Sequence, residues 1–380
     1  MIVGAGVIGA SVAWHLAARG CTNVLVVDRA GRLGEGSTGK ATGGFRAQFG
    51  SEVNVRLSLL SREKLLRFGD EVGGDAGFRP CGYLFLAERR ETLDAFAAAR
   101  EAQRRAGFTD AREVGLDEIA AINPAVRLDG LAGGVFCPSD GFLRPLAILA
   151  GYAAAAERLG VRFALGTPCV GLRVDGDRVT AVDTPGGSIP CGAVIDAAGA
   201  WAAEVARLAG VEIPVRPLRR QVATTAPFAG LPEDMPLTIF ADDGFHLRVR
   251  DGRVLLLWPD EPATADPFDC AVDPAWYART VARARQAVPC LAAASIRRDD
   301  CWAGLYEMSP DGHALLGPAP GVANLHLANG SSGHGVMHAP ALGQLLAEIV
   351  LDGKASAVDV DALRPERFAE GEPNEAPVFL

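Results

Sequence analysis

Lysine is nearly missing from this chain of 380 residues. Lysine and arginine together number 37, and only Lys40, Lys64 and Lys354 are lysines. That lean towards arginine fits a GC-rich genome and by itself carries no function. A basic excess is missing too: the net charge of −9 argues against a polyanion-binding surface and so against nucleic acid as a partner. The eight cysteines (21, 81, 137, 169, 191, 270, 290 and 301) form no CxxC pair and no Cys/His spacing typical of zinc. They are expected to be mostly buried free thiols of a reducing compartment. No uncharged apolar run reaches the roughly 18 residues of a membrane span. The apolar start, Met1 to Ala18, lacks the basic n-region of a signal peptide, and its glycines suit a strand–turn–helix better. The expectation is a soluble, cytoplasmic protein without internal repeats or low-complexity linkers. What remains is ordinary globular composition, 49% hydrophobic and 22% charged, in a chain long enough to divide into two domains.

The first residues carry the strongest signal. Met1-Ile2-Val3-Gly4-Ala5-Gly6-Val7-Ile8-Gly9 is followed by a helical stretch to Arg19 and by Asn23-Val24-Leu25-Val26-Val27-Asp28. Gly4 permits a tight turn, Gly6 admits a pyrophosphate close to the backbone, and Gly9 allows tight helix–strand packing. The helix start offers free N–H groups and the positive dipole end. Asp28, at the end of a β-branched strand, is placed to hydrogen-bond a ribose hydroxyl. Strand, glycines, helix, second strand and acid in this order predict dinucleotide binding. The fingerprint alone leaves NAD and FAD both open.

Further along, Gly34 to Gly44 reads as a loop, Ser51 to Phe68 as a helix, Cys81 to Ala87 as a strand and Glu91 to Ala106 as a helix. A long helix is expected from Leu146 to Leu159, and two strands, Val170 to Val174 and Arg178 to Val182, flank a Gly176-Asp177 turn. Ala193 to Gly199 reads as a short buried strand with a small-residue end. Asp243 to Trp258 reads as a hairpin about Asp251-Gly252. Asn324 to Ala328 is a strand feeding the glycine-rich turn Gly330 to Gly335, with a helix expected from Pro340 to Leu351. The βα signals at both ends and in the middle, with β-rich stretches between, predict two interleaved domains.

Taken together these residues resemble the D-amino-acid-oxidase-like FAD-dependent oxidoreductases, in the branch of sarcosine oxidase, glycine oxidase, dimethylglycine dehydrogenase and the β subunit of dye-linked L-proline dehydrogenase. Five pieces in the family's order carry the resemblance: residues 4–9, Ser37 to Arg46, Asp196 to Trp201, Gly304 to Asp311, and Gly330 to Met337. The resemblance implies FAD rather than NAD. It also implies an α/β fold, in which a Rossmann-like, glutathione-reductase-type FAD-binding domain (1–77, 144–215 and 304–380) interleaves with an α+β substrate domain (78–143 and 216–303) carrying a mainly antiparallel sheet. Gly4, Gly6, Val7, Ile8 and Gly9 would hold the pyrophosphate, with Asp28 and Arg29 at the adenosine. Ser37, Thr38, Lys40, Ala41, Thr42 and Gly43 would run beneath the ribityl chain. Val170 would contact adenine through its backbone, and Ala198, Gly199 and Trp201 would line the pyrophosphate side. Gly333, His334, Gly335, Val336 and Met337 would meet the flavin's pyrimidine edge, where helix-start N–H groups suit the charge of a reduced flavin.

On the substrate side the resemblance gives Arg46 the role of pairing with a substrate carboxylate, which suits a guanidinium fork. His246 and Arg248 fall where relatives often carry Tyr-x-Arg facing the flavin, and His334 lies in the flavin-edge turn. For His246 a satisfied hairpin histidine is the competing reading. His334 and His338 are spaced i, i+4 without an intervening Glu, so no metal site is expected. The departures also count. Relatives with covalent flavin carry a cysteine where this chain has Gly304, so FAD is expected to be non-covalent. A carboxylate-gripping lysine of sarcosine oxidases is replaced by Met337, and no lysine lies between 64 and 354 to promote the reaction of reduced flavin with oxygen. The expected activity is oxidation of an amine or amino acid by hydride transfer to FAD. Oxygen, a quinone or a partner subunit would be the acceptor, with a dehydrogenase favoured over an oxidase. The alternatives are a flavin-binding scaffold or assembly factor without turnover, and oxidation of an α-hydroxy acid or glycerol-3-phosphate.

Overall fold

Strand Ile2–Val3 runs through Gly4 into helix Val7–Ala18 and on to strand Leu25–Asp28 in a computed structural model that describes residues 1–260 and 266–375. The parts of the expected segments at 261–265 and 376–380 lie outside the described residues. Gly4 is required twice over at the turn. Its φ is +107°, and a Cβ there would lie 2.3 Å from the Ala197 carbonyl oxygen.

These elements sit in a six-stranded sheet. Its order is Leu315–Ala319, Val322–Asn329, Val194–Asp196, Ile2–Val3, Leu25–Asp28, Arg162–Leu165. Every neighbouring pair is parallel except the first. A parallel sheet needs cover on both faces. Helices Val7–Ala18, Glu52–Leu66, Pro145–Arg158 and Gly335–Asp352 share one core on one side. Within it the Ser11 hydroxyl donates to Ala339 O at 2.8 Å. On the other side a three-stranded antiparallel sheet, Gly171–Asp175, Arg178–Thr184 and Gly187–Pro190, packs Val179 and Val182 with Val3, Val27 and Leu325.

The second large sheet has eight strands, in the order Trp302–Met308, Arg216–Thr224, Arg253–Leu257, His246–Arg250, Leu237–Phe240, Tyr83–Ala87, Gly133–Cys137, Arg112–Val114. It is antiparallel apart from the pairing of Leu237–Phe240 with Tyr83–Ala87. Side chains alternate between its faces. Leu84, Leu86, Leu247, Val249 and Leu256 form a core with Trp276 of helix Pro274–Ala287, leaving Tyr83, Phe85, Ile239, His246 and Leu257 at the wall of a cavity. The expected hairpin is present, with φ of +54° at Asp251 and +68° at Gly252, the pair of positive values a tight type I′ turn demands.

Three expectations shift. Helix Gly335–Asp352 starts ahead of Pro340, which lies inside it. Past the first turn a proline forgoes the bond its N–H would have made to the Val336 carbonyl, and its ring crowds that carbonyl. Within the expected loop 34–44, Ser37–Lys40 winds into a helical turn, made compact because a Cβ on Gly39 would lie 1.9 Å from Gly34 O. Strand Trp302–Met308 pairs continuously with Arg216–Val222, so the seam expected between 303 and 304 falls inside a strand.

Candidate functional site

The cavity between the two large sheets holds about 1330 Å³, more than the roughly 300–1,000 Å³ of an ordinary small-ligand pocket. At one end Asp28 closes its strand. Its Oδ2 accepts from Ala5 N at 2.6 Å and its Oδ1 from Ala30 N at 2.8 Å, which fixes the carboxylate and leaves lone pairs for ribose hydroxyls. The Arg29 guanidinium lies 3.7 Å over the Trp201 ring, and that ring stacks on Phe268 at 5.3 Å. Val170 stands outside the wall: its N–H donates to Asp183 O at 2.8 Å and its residue is 54% exposed. Pro168 and Cys169 line that stretch instead. Gly9 is also behind the wall, where a Cβ would lie 2.0 Å from Gly4 O; its role is packing.

Next come Gly4, Gly6, Val7 and Ile8, with Ala198 and Gly199 among the other residues of the wall. Val7 N donates to Thr38 Oγ1 at 3.2 Å. A Cβ on Gly6 would meet only that oxygen, at 3.5 Å, so the space at this helix start is open to a phosphate. Ser37, Thr38, Lys40, Ala41, Thr42 and Gly43 follow along the wall. Their backbone is clamped from the second sheet. Trp302 Nε1 donates to Lys40 O at 2.9 Å, Arg250 to Ala41 O at 3.1 Å, and Arg248 to Thr42 O at 2.8 Å and Gly43 O at 2.9 Å. Arg248 is therefore not at the wall. Its guanidinium packs 3.6 Å from the Phe142 ring, and burial, with Arg250 beside it, lowers its pKa.

Gly304 lies where a Cβ would come 2.6 Å from Lys40 Cβ, so this position has no room for a cysteine. Cys301 is turned away, its thiol donating to Arg297 O at 3.2 Å. The cysteines were expected to be mostly buried, but Cys137 alone is, because the others lie at strand ends, turns and loops near the surface. Gly333, with φ of +93°, His334, Gly335, Val336 and Met337 bring the start of helix Gly335–Asp352 to the cavity. Beside it stand two acids that sequence reasoning passed over. Glu307 Oε1 accepts from Ser331 N at 3.2 Å, and burial pushes its carboxyl up to about 7. Asp196 Oδ1 accepts from Ala198 N at 3.0 Å, and burial raises its carboxyl well above the usual range, with Glu307 adding to it. Each keeps one buried oxygen, Glu307 Oε2 and Asp196 Oδ2, with no hydrogen-bond partner. Buried polar atoms without a partner are uncommon among the described residues. Glu307 lines the cavity, where a polar ligand would supply its partner, whereas Asp196 is not at the wall. The open helix starts, the fixed Asp28 and the orphan oxygen of Glu307 fit a dinucleotide.

The other end is shaped for a small anion. Arg46 follows strand Gly44–Phe45 and is 2% exposed. Asp140 sets its loop, accepting from Ala47 N at 2.8 Å and Gln48 Nε2 at 3.0 Å. No carboxylate pairs with Arg46 among the described residues: its guanidinium sits 4.3 Å over Phe49, reaches His334 Nε2 at 3.2 Å, and leaves Nη1 buried without a partner. A guanidinium only donates, so His334 Nε2 accepts and carries no proton. His338 turns the other way, to the Ser58 hydroxyl at 2.9 Å. Tyr83, Tyr306, Arg220 and His246 complete this end with Phe85, Leu237, Ile239 and Leu257. Burial raises both tyrosine pKa values, so they are neutral donors. The position of Tyr306 was legible in the stretch 304–311. Those of Tyr83 and Arg220 depend on strand pairing at long range and had no local signal.

The comparisons agree with this geometry. The chain is 30% identical over 419 residues to the Bos taurus FAD-dependent oxidoreductase domain-containing protein 1, covering 98% of this chain and 85% of that protein. It is 28% identical to a 4-methylaminobutanoate oxidase (formaldehyde-forming) of Paenarthrobacter nicotinovorans, covering 95% of this chain but only 45% of that longer protein. The crystal structure of L-proline dehydrogenase from P. horikoshii superposes with a TM-score of 0.89 at 28% identity, covering 98% of both chains. Residues 1–349 match the DAO family, described as FAD dependent oxidoreductase, and the chain belongs to that family.

Proposed function

We propose that this protein oxidises a carboxylate-bearing amine, an α-amino acid or its N-alkyl derivative, by hydride transfer from the α-carbon of the neutral amine to FAD, giving an iminium ion that loses a proton to form the imine, which hydrolyses in water. The observation that carries the reading is Arg46, a buried guanidinium without a carboxylate partner at the wall of a cavity that also holds a dinucleotide-shaped cradle. Burying such a charge unpaired is costly, and a substrate carboxylate supplies the missing partner bidentately. Bound FAD supplies the two-electron acceptor. Arg46 anchors the substrate, His334 orients the guanidinium through Nε2, and Phe85, Ile239 and Leu257 hold the carbon skeleton in a water-poor pocket. Fixing the α C–H against the acceptor in this way supplies much of the rate. The names of the similar proteins, an oxidase of a methylated amino acid and a proline dehydrogenase, support the same class.

We favour an acceptor other than oxygen. No lysine lies in the second sheet, and of the arginines it brings to the wall, Arg216 and Arg220, the latter donates to Asp260 O at 2.6 Å. The test is an anaerobic screen of flavin bleaching with N-methyl amino acids, L- and D-amino acids, hydroxy acids and glycerol-3-phosphate. Bleaching by amino compounds is expected. Bleaching by hydroxy compounds alone would move the assignment to alcohol oxidation, and none at all would make this a flavin-binding protein without turnover.

A further inference from the structure

His246 occupies the middle of an apolar row across the eight-stranded sheet. Phe85 pairs with Ile239, Ile239 with His246, and His246 with Leu257. The imidazole is the one polar side chain in that row, and its two nitrogens have different fates. Nδ1 lies 2.9 Å from Gly244 O, and a carbonyl oxygen only accepts, so Nδ1 carries the proton. Burial holds the ring neutral, with a pKa pushed down to about 4. Arg46 and Arg220 disfavour a second proton, while Asp243 opposes them only weakly. Nε2 is then a bare lone pair. No described residue pairs with it, and His246 lines the cavity.

Arg46 stands 5.5 Å over Phe85, and strands spaced about 4.8 Å apart put His246 roughly 10 Å from Phe85 along the row. Two hydrogen bonds of about 2.9 Å and the carboxylate-to-amine span of an α-amino acid bridge most of that gap. The cations Arg46 and Arg220 repel an ammonium, so the amine that fits here is the free base. We infer that His246 Nε2 accepts a hydrogen bond from the N–H of the neutral substrate amine, and that the protein therefore takes primary and secondary amines and rejects tertiary ones. A neutral tertiary amine has no N–H, and it would leave the imidazole lone pair buried without a donor. His246 is in this way a specificity-determining residue that turns the N–H to itself and leaves the nitrogen lone pair free to align with the α C–H bond that must lose hydride.

This inference rests on the amine-oxidation reading above, and the experiment separates the two. The holoenzyme is mixed anaerobically with the N-ethyl and the N,N-dimethyl derivatives of glycine and of leucine. Within each pair the two compounds have the same number of carbons, and only one keeps an N–H. Bleaching rate and apparent Kd are read from flavin absorbance at matched free-base concentration. The N,N-dimethyl compounds should be poorer by about 10- to 100-fold, the consequence of one unmade buried hydrogen bond. His246→Phe should slow the N-ethyl compounds by a similar factor and bring the ratio within each pair towards one, while His246→Gln, whose side-chain oxygen can accept, keeps part of the preference. FAD content and flavin spectrum report whether each variant is folded. Should the Phe variant not fold, the wild-type ratio and the Gln variant still decide. If both members of each pair bleach equally in the wild type, or if His246→Phe leaves the ratio unchanged, the assignment of His246 is wrong and amine oxidation stands. If no amine bleaches the flavin, the functional reading itself falls, and this inference with it.

Discussion

Replacing Arg46 with alanine should abolish most of the affinity for carboxylates and little of the affinity for FAD. The guanidinium is 2% exposed, is stacked 4.3 Å over Phe49, and has a buried Nη1 with no partner. It is thus desolvated before any ligand arrives, and a carboxylate gains a charge-assisted pair without further desolvation of the arginine. Removing one partner of such a buried pair costs about 2–5 kcal/mol, or roughly 30- to 4,000-fold in Kd at 1.4 kcal/mol per decade. Arg46→Lys should recover only part of this, because an ammonium cannot form the bidentate fork. FAD binding should change little, since among the described residues the side chain's hydrogen bond is to His334 and the loop carrying it is held by Asp140 through Ala47 N and Gln48 Nε2. The assay is a titration of oxidised holoprotein with a non-oxidisable carboxylate, read as a perturbation of the flavin spectrum, beside a measurement of FAD retention. Carboxylate Kd values within threefold of wild type in the alanine variant would refute the reasoning. Arg220, not Arg248, would then be the next anchor, because Arg248 has its donors on Thr42 O and Gly43 O.

Arg248→Met keeps much of the side chain's bulk but releases the carbonyls of Thr42 and Gly43. FAD should dissociate more readily, and Tm should fall by the several degrees that about 1.5–3 kcal/mol of lost charged hydrogen bonding implies; unchanged FAD retention would contradict the clamp. Glu307 titrates near 7 in the folded chain against an ordinary 4.5. A raised folded pKa contributes stability that is present below the unfolded value and lost as pH rises through the folded one. Apoprotein stability should therefore decline between about pH 4.5 and 7, by roughly 3 kcal/mol at most, and Glu307→Gln should flatten that slope in denaturant melts. Reduced enzyme mixed with air-saturated buffer should reoxidise more slowly than it turns over with a dye or quinone analogue, and faster reoxidation would make it an oxidase. Acid precipitation should release intact FAD, because the position that bears a cysteine in covalent relatives is Gly304, pressed against Lys40.

The parts of this molecule that were legible in its sequence are those where the physics is local. Gly4, Gly9 and Asp28 lie within 25 residues of one another, and each is explained by a turn, a packing contact or a strand end that neighbouring residues define. The Asp251-Gly252 hairpin is legible for the same reason: two positive φ values are written in two adjacent residues. The substrate end is built by pairing at long range. Strand Leu237–Phe240 lies parallel to Tyr83–Ala87 and antiparallel to His246–Arg250, and the two pairings together set Ile239 between Phe85 and His246. His246 and Arg248 show the limit most directly. Two apart on one strand, they point to the same face by simple alternation, and the resemblance to relatives with Tyr-x-Arg at this level implied that both face the flavin. One residue pair along the strand is about 7 Å, and across that step the surroundings change from open cavity to the backbone of Lys40–Gly43. The histidine keeps a free nitrogen for a ligand, while the arginine spends its donors on carbonyls. Alternation reports the face of a sheet, and only the chain that crosses over that face decides which of its residues meet substrate and which hold the cradle in shape.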